Sequence, residues 1–352
     1  MSCDASLMSI STLSQLLRES QSDYLCYDLG RRVQAINTTE FNAIEQQQAP
    51  YPYPVQGHAC FAMVFWPQLS RSEREPFLWF LKFPLDERGL LEQAAVQEFL
   101  TSVITLLGQQ VTHALSEEQE QQLQQSPYLF TPAEEKRAAL HAQLGLLWQR
   151  QPSVHFEFAQ TALAKPEHWQ HVGVQGLHDV AARLDDLPET QQVLAEQLAD
   201  YPAPLRQATA IALEHQSLPT QLSDALAAQI LQLNAGEVRA DLLRSLAGSV
   251  TSEAVATAVR YVLKEPSVDE CVICCARLWQ VFDPLCTPHV QLEQLLLAIA
   301  QQDPKIFAAL ITDVLRMPML RPHILVTLQR DDLAQPIRQA WQTFVSGAAH
   351  AK

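Results

Sequence analysis

Along most of this chain, helix-breaking residues recur at a spacing that leaves room for one helix at a time. They fall at Pro152, Pro166, Pro188, Pro202 with Pro204, Pro219, Gly236, Gly248, Pro266, Pro284 with Pro288, Pro304, Pro318 with Pro322, and Pro336. Proline has no N–H to donate and its ring collides with the carbonyl one turn earlier, so each such position closes one helix and opens the next. The intervals hold roughly a dozen residues, the length of an average globular helix. Inside them the apolar residues keep a helical beat: Leu222, Ala225, Leu226, Ile230 and Leu233 in one, Leu292, Leu295, Leu296 and Ile299 in another. Side chains three and four apart share a helix face, so each segment has one stripe to bury. Nothing from Pro132 onward reads as strand.

The helices also pair. Segments beginning near Val172, Leu205, Val238, Val268 and Ile306 recur at intervals of 33, 33, 30 and 38 residues, and Leu205-Arg206 and Val238-Arg239 repeat one step. A degenerate period with two helices per unit marks an α-solenoid, in which each pair leaves an apolar face that only the next pair can cover. The pattern over 168–330 resembles shortened HEAT-type repeats. It predicts an all-α, HEAT-like helical repeat array over 132–346, with a tail at 347–352. A compact irregular helical bundle is the competing architecture.

The first 110 residues read differently, as an α+β module: a small antiparallel sheet with covering helices. Ser9 or Ser11 is placed to cap a helix running to Arg18. Tyr24–Asp28 then reads as a strand, Leu29-Gly30 as a turn and Arg32–Ile36 as the return strand, since aromatic and β-branched runs flanking a glycine mark a hairpin. Thr38 or Thr39 opens a second helix. Pro50-Tyr51-Pro52-Tyr53-Pro54 is held extended, because each proline restricts the residue before it. Two strands follow, His58–Trp66 and Phe77–Phe83, and the unbroken apolar run Ala59–Trp66 implies burial on both faces. Leu90–Leu107 is a long amphipathic helix. Residues 111–131, rich in Glu and Gln, read as a polar helical linker.

Composition narrows the function classes. There are 10 glycines in 352 residues, against about 7% in an average protein, which leaves few of the tight loops that cradle phosphates. Lys and Arg number 24 against 39 Asp and Glu, a net charge of −15. A field of that sign repels nucleic acid and anionic membranes. The longest apolar run, Ala59–Trp66, falls far short of the ~20 residues a membrane helix needs. Met1–Ile10 carries no basic residue ahead of its apolar positions, unlike a signal peptide. Seven cysteines, an odd number, suit a reducing compartment, so the expected location is the cytoplasm.

Catalytic signatures are missing: no Gly-x-Gly-x-x-Gly, no Walker loop, no Gly-x-Ser-x-Gly and no His-Glu-x-x-His. Cys271-x-x-Cys274-Cys275 followed by Cys286-x-x-His289 fits a zinc spacing on paper. However, Val268–Phe282 reads as a repeat helix without a turn residue, and free cysteine behaves there as a small buried hydrophobe. His168, His171 and His178 read as polar helix-face residues near a turn. The remaining candidates gather at the sheet. Asp28 can pair with Arg31 or Arg32 across the first hairpin, with Gly30 at positive φ. Tyr51 and Tyr53 lie on the proline-fixed segment, and Lys82 and Asp86 at the end of the last strand. Alternation places Lys82 with Leu78 and Phe80, opposite Phe77, Trp79, Leu81 and Phe83.

Three of these stretches, Tyr27–Arg32, Pro50–Pro54 and Trp79–Leu91, resemble a gammaproteobacterial family classed as a domain of unknown function. The resemblance implies no activity, cofactor or site residue. The leading expectation is therefore a non-enzymatic adaptor or regulatory protein that binds a protein partner through the helical array and the first hairpin, with no cofactor, nucleic acid or membrane insertion. Two alternatives stand beside it. One is an enzyme or sensor with an anion site built from Asp28, Arg31, Arg32, Lys82 and Asp86. The other is a metal or redox site at Cys271–His289.

Overall fold

The computed structural model describes residues 10–68, 76–108, 111–112, 116–283 and 290–350. The chain divides into two units: Met1–Pro132 with Arg316–Pro318, and Ala133–Leu315 with Met319–Lys352.

The first unit is built on a four-stranded antiparallel sheet, ordered β2-β1-β3-β4. Its strands are β1 (Ser22–Asp28), β2 (Gln34–Ile36), β3 (His58–Pro67) and β4 (Phe77–Pro84). The apolar run of β3 takes an interior place, and every residue from Ala59 to Trp66 is buried. In β4 the alternation is strict: Trp79, Leu81 and Phe83 are buried, whereas Leu78, Phe80 and Lys82 on the other face are not fully covered. Three helices, α1 (Leu13–Glu19), α2 (Thr38–Glu45) and α3 (Gln93–Leu107), supply Leu16, Leu17, Phe41, Phe99 and Val103 to one core with Phe61, Met63 and Phe65 of β3. Thr12, rather than Ser9 or Ser11, caps α1, and its hydroxyl accepts the Gln15 N–H at 3.1 Å. Glu45, at the end of α2, also turns its carboxylate onto α1, accepting the Leu13 N–H at 2.6 Å. Such orphan donors at a helix start are the natural partners of a buried anion.

The polar stretch after α3 contains α4 (Glu117–Gln124), opened by a reciprocal capping box between Ser116 and Gln119. The chain then returns to the sheet. Leu129 bridges Leu81, and the flanking bonds run from Phe130 N–H to Phe80 carbonyl and from Lys82 N–H to Tyr128 carbonyl.

The second unit is all helical. Its helices are α5 (Glu134–Leu147), α6 (Phe156–Ala164), α7 (Val174–Ala182), α8 (Pro188–Gln197), α9 (Ala203–Leu213), α10 (Thr220–Ile230), α11 (Glu237–Ser245), α12 (Glu253–Val262), α13 (Val268–Ala276), α14 (Val290–Ala300), α15 (Pro304–Leu315), α16 (Arg321–Leu328) and α17 (Gln335–His350). Alternate helices stack: α5, α7, α9, α11, α13 and α15 form one row, and α6, α8, α10 and α12 another. The five periodic segments of the sequence fall on α7, α9, α11, α13 and α15, consecutive members of the first row. An α+β module followed by an all-α array is thus the architecture. The helix read as Val268–Phe282 ends at Ala276 and resumes as a 3₁₀ turn over Trp279–Phe282. No helix among the described residues is long and apolar enough to cross a membrane.

Gly248 shows how tightly successive repeats are joined. It ends the 3₁₀ turn Leu246–Gly248, and a Cβ at this position would lie 1.7 Å from the Gln216 carbonyl oxygen. Only glycine lets the two backbones approach so closely. Gly248→Ala is therefore expected to lower stability by about 2 kcal/mol or more through overpacking. Gly347→Ala, where nothing lies within 4 Å, is expected to leave it unchanged or raise it. Thermal melts of both variants check this pair, and equal melting temperatures would refute it.

Candidate functional site

The sequence candidates at the sheet meet in one place, but inside the protein. Asp28, at the end of β1, is fully buried. Its carboxylate accepts the backbone N–H of Gly30 at 2.8 Å, of Arg31 at 3.1 Å and of Arg32 at 3.3 Å. The Tyr51 hydroxyl donates to the same carboxylate at 2.7 Å and lies 3.1 Å from the Cys60 carbonyl. An aspartate that gathers successive N–H groups in this way shapes the loop that follows it. The loop runs from Leu29 to Val33, because β2 rejoins β1 at the pair Asp28 and Gln34.

Several expectations change here. Gly30 does not take positive φ; it is glycine because a Cβ would meet Val55 at 3.0 Å and the Tyr53 carbonyl at 3.1 Å. Arg31 and Arg32 do not project to a partner: they are 2% and 7% exposed. The Arg31 guanidinium donates to the Pro54 carbonyl through Nε at 3.0 Å and Nη2 at 2.7 Å. Arg32 reaches Gln34 at 3.1 Å. Tyr51 is likewise buried, and burial with the Asp28 charge beside it pushes its phenol far above the ordinary range. Tyr53 packs edge-on against it at 6.0 Å, and burial raises its phenol to about 12. These side chains hold the fold, because short strands and a proline-rich crossover leave backbone groups that only long polar side chains can reach.

Lys82 and Asp86 do not join them. Lys82 lies beside Leu78 and Phe80 on the face of β4 opposite the core. Asp86 is exposed, and its carboxylate accepts the N–H groups of Arg88 and Leu90, each at 2.8 Å. It closes its own turn. The five residues of the anion-site alternative therefore do not converge on one cleft.

Cys271, Cys274 and Cys275 are fully buried on α13. Burial raises the Cys271 thiol to about 12 and Cys274 well above the ordinary range. Cys286 and His289 lie outside the described residues. Among the described residues no three His, Cys, Asp or Glu side chains are grouped to hold a metal ion.

Sequence reasoning missed the main polar centre of the second unit. Arg239 on α11 grips Glu270 on α13 with two bonds, of 2.5 and 2.8 Å, and donates to the Glu265 carbonyl at 2.8 Å. Arg206 on α9 meets Asp241 on α11 at 2.7 Å and also holds the Tyr201 carbonyl. These are the two arginines of the repeated Leu/Val-Arg step. The signal was the step itself, together with an acidic residue early in the next repeat. Just after α9, the buried Glu214 accepts from Arg244 at 2.5 and 3.1 Å and from Arg277 at 3.1 Å. Burial works against its charge, yet the Arg244 hydrogen bond and the Arg277 and Arg244 charges hold the carboxyl below its ordinary value.

His178 and His215 stack beside this centre with ring centroids 5.8 Å apart. His178 is 1% exposed, not the polar helix-face residue its spacing implies. Its Nδ1 has no hydrogen-bond partner among the described residues. Burial lowers His178 to about 4 and His215 to about 3, against Glu135, Glu214 and Asp179 near the first and Glu214 near the second.

A family model described as a protein of unknown function, DUF3549, matches residues 8–345. The chain belongs to that family. Comparison with curated proteins and with solved structures gave no match. The three motifs behind the resemblance prove to be neighbours in this DUF3549 chain: Asp28 of the first holds Tyr51 of the second, and the Tyr51 N–H donates to the Gly89 carbonyl of the third at 2.8 Å.

Two outcomes are expected of these centres. Arg31→Ala should lower stability by about 2–4 kcal/mol, since the Pro54 carbonyl is left buried without its charged donor. A thermal melt reads it, and an unchanged midpoint would return Arg31 to the surface. The histidines set a pH dependence. Both are held neutral in the fold, well below the ordinary 6.5, so the unfolded chain binds more protons as pH falls beneath that value. Stability is then expected to decline from pH 6.5 and to keep falling towards pH 3. The double change His178→Gln, His215→Gln should flatten the dependence of melting temperature on pH above 4; an unaltered slope would assign it to other groups.

Proposed function

We propose that this protein is a non-enzymatic adaptor or regulatory scaffold whose HEAT-like helical array binds a protein partner. One observation carries the reading: large apolar side chains stand in water at the turn joining α5 and α6. Val154 is 93% exposed, Leu147 55%, Leu146 43% and Phe158 41%. Scattered exposed apolar residues need no explanation, but four within residues 146–158, on the turn and the two helix ends it joins, favour an interaction surface. The stacked rows support the same reading, because repeat arrays present extended faces that suit protein ligands.

The first hairpin is not part of the proposed contact, since Arg31, Arg32 and Tyr51 are occupied internally. The net charge of −15 supports a partner other than nucleic acid. Cys26, Cys271 and Cys274 are buried thiols outside any disulfide, in keeping with a reducing compartment such as the cytoplasm.

The double change Val154→Asp, Phe158→Asp tests the surface by crosslinked affinity purification and mass spectrometry alongside a thermal melt. Loss of a stoichiometric partner with an unchanged melting temperature is expected. Retention of that partner, or its absence from the wild-type purification, would refute the reading.

A further inference from the structure

The first unit leaves one sheet edge open, and the chain itself shows how that edge is used. β4 has β3 on one side only. On its other side the segment 128–130 pairs with the middle of the strand: Phe130 N–H donates to Phe80 carbonyl at 3.1 Å, and Lys82 N–H to Tyr128 carbonyl at 2.8 Å. Phe80 and Lys82 thus turn their backbone groups away from β3. Leu78, two residues earlier on the same strand, turns its N–H and carbonyl the same way.

The next bond of this short ladder, from the Phe80 N–H to the Phe130 carbonyl, is not made, and the one after it would run from the N–H of residue 132 to the Leu78 carbonyl. Residue 132 is proline and has none to give. Pairing stops at the Phe80 carbonyl, and among the described residues neither backbone group of Leu78 has an outward partner. Proteins normally cover or blunt such an edge, because it is a template for another strand. Here the Leu78 side chain is itself 43% exposed.

A cleft of about 790 Å³ opens at this edge, between Phe77–Phe80 on one side and Leu123, Leu129 and Phe130 on the other. Its one charged lining residue is Glu120, and Glu117 and Glu118 are exposed on the same helix. We propose that the open half of β4 is a docking site for an extended peptide segment of a partner protein, paired to Leu78 through its backbone and carrying lysine or arginine beside its apolar residues. The backbone bonds would supply affinity, the aromatic cleft would receive alternate side chains, and the glutamates select the charge. A second copy of this chain is the poorer occupant, because its own edge brings the same glutamates and a net charge of −15.

The proposal rests on the reading of this protein as a protein-binding scaffold but uses another surface. The probes are short labelled peptides in which lysine alternates with valine, leucine or phenylalanine, followed by fluorescence anisotropy with the full-length chain. Saturable binding is expected, with exchange of the Leu78 amide slowed in the complex. Leu78→Pro removes an N–H that makes no bond in the free protein; it is expected to weaken binding about five- to tenfold at an unchanged melting temperature. Glu120→Lys should weaken it as well, and keeps the site testable if the proline variant does not fold. Replacing lysine by glutamate in the peptides should abolish binding. Val154→Asp with Phe158→Asp should leave peptide binding intact, which separates this site from the helical surface. No saturable binding, an unchanged Leu78 amide, equal affinity in Leu78→Pro, or an edge-to-edge dimer that this variant dissociates would overturn the proposal.

Discussion

Arg239 carries its guanidinium out of water and bridges the Glu270 carboxylate of the following repeat and the Glu265 carbonyl just ahead of it. Arg206 makes the corresponding bridge one repeat earlier, and Glu214 binds Arg244 and Arg277 further along the row. Pairs of this kind add little net stability, since each ion forfeits hydration on the order of several kcal/mol. Their weight lies in the alternatives. Helix stripes of leucine and alanine can slide past one another at small cost, whereas a slipped arginine leaves a charge buried alone, at about 3–5 kcal/mol. The ionic row thereby sets how each repeat lies on the last, and the apolar stacking can be generic.

The first unit applies the same economy to its loops. Asp28 gathers the N–H groups of the turn after β1, Glu45 gathers those at the start of α1, and Arg31 satisfies the Pro54 carbonyl. With few glycines to relax the backbone, buried polar side chains replace the turn hydrogen bonds that tight loops would otherwise make for themselves. Chemistry that looks available in the sequence is consequently taken up by architecture. Among the groups left in contact with water are apolar side chains around the α5–α6 turn and the open strand edge at Leu78.

Element identity was largely legible before the structure. The proline beat marks the helices, the alternation in Phe77–Phe83 orients β4, and the continuous run Ala59–Trp66 is buried throughout. Site residues were not. Asp28, Arg31, Arg32 and Tyr51 lie near each other in space as their motifs imply, but the sequence cannot say whether an arginine beside a turn meets water or a carbonyl. His178 reads as a surface residue from its spacing and becomes a core residue because α5, α6 and α9 pack on its helix. The Arg206 and Arg239 step was visible as a repeat, yet its partners, Asp241 and Glu270, belong to the next helix of the row.

The sequence by itself therefore determined class and order: a small antiparallel sheet, then helices in pairs, in a strongly acidic chain. These follow from local rules, since proline stops a helix and periodicity selects a face wherever the chain goes. Tertiary structure alone decided which polar groups are occupied. Burial and partnership depend on residues remote in sequence, such as Glu270 for Arg239, 31 positions on, or Pro54 for Arg31, 23 positions on, and no local pattern encodes which of them a long side chain will reach. The opening at Leu78 arises in the same way. The chain that could cover it stops pairing at Phe80, and the proline at 132, remote in sequence, has no N–H to offer the Leu78 carbonyl.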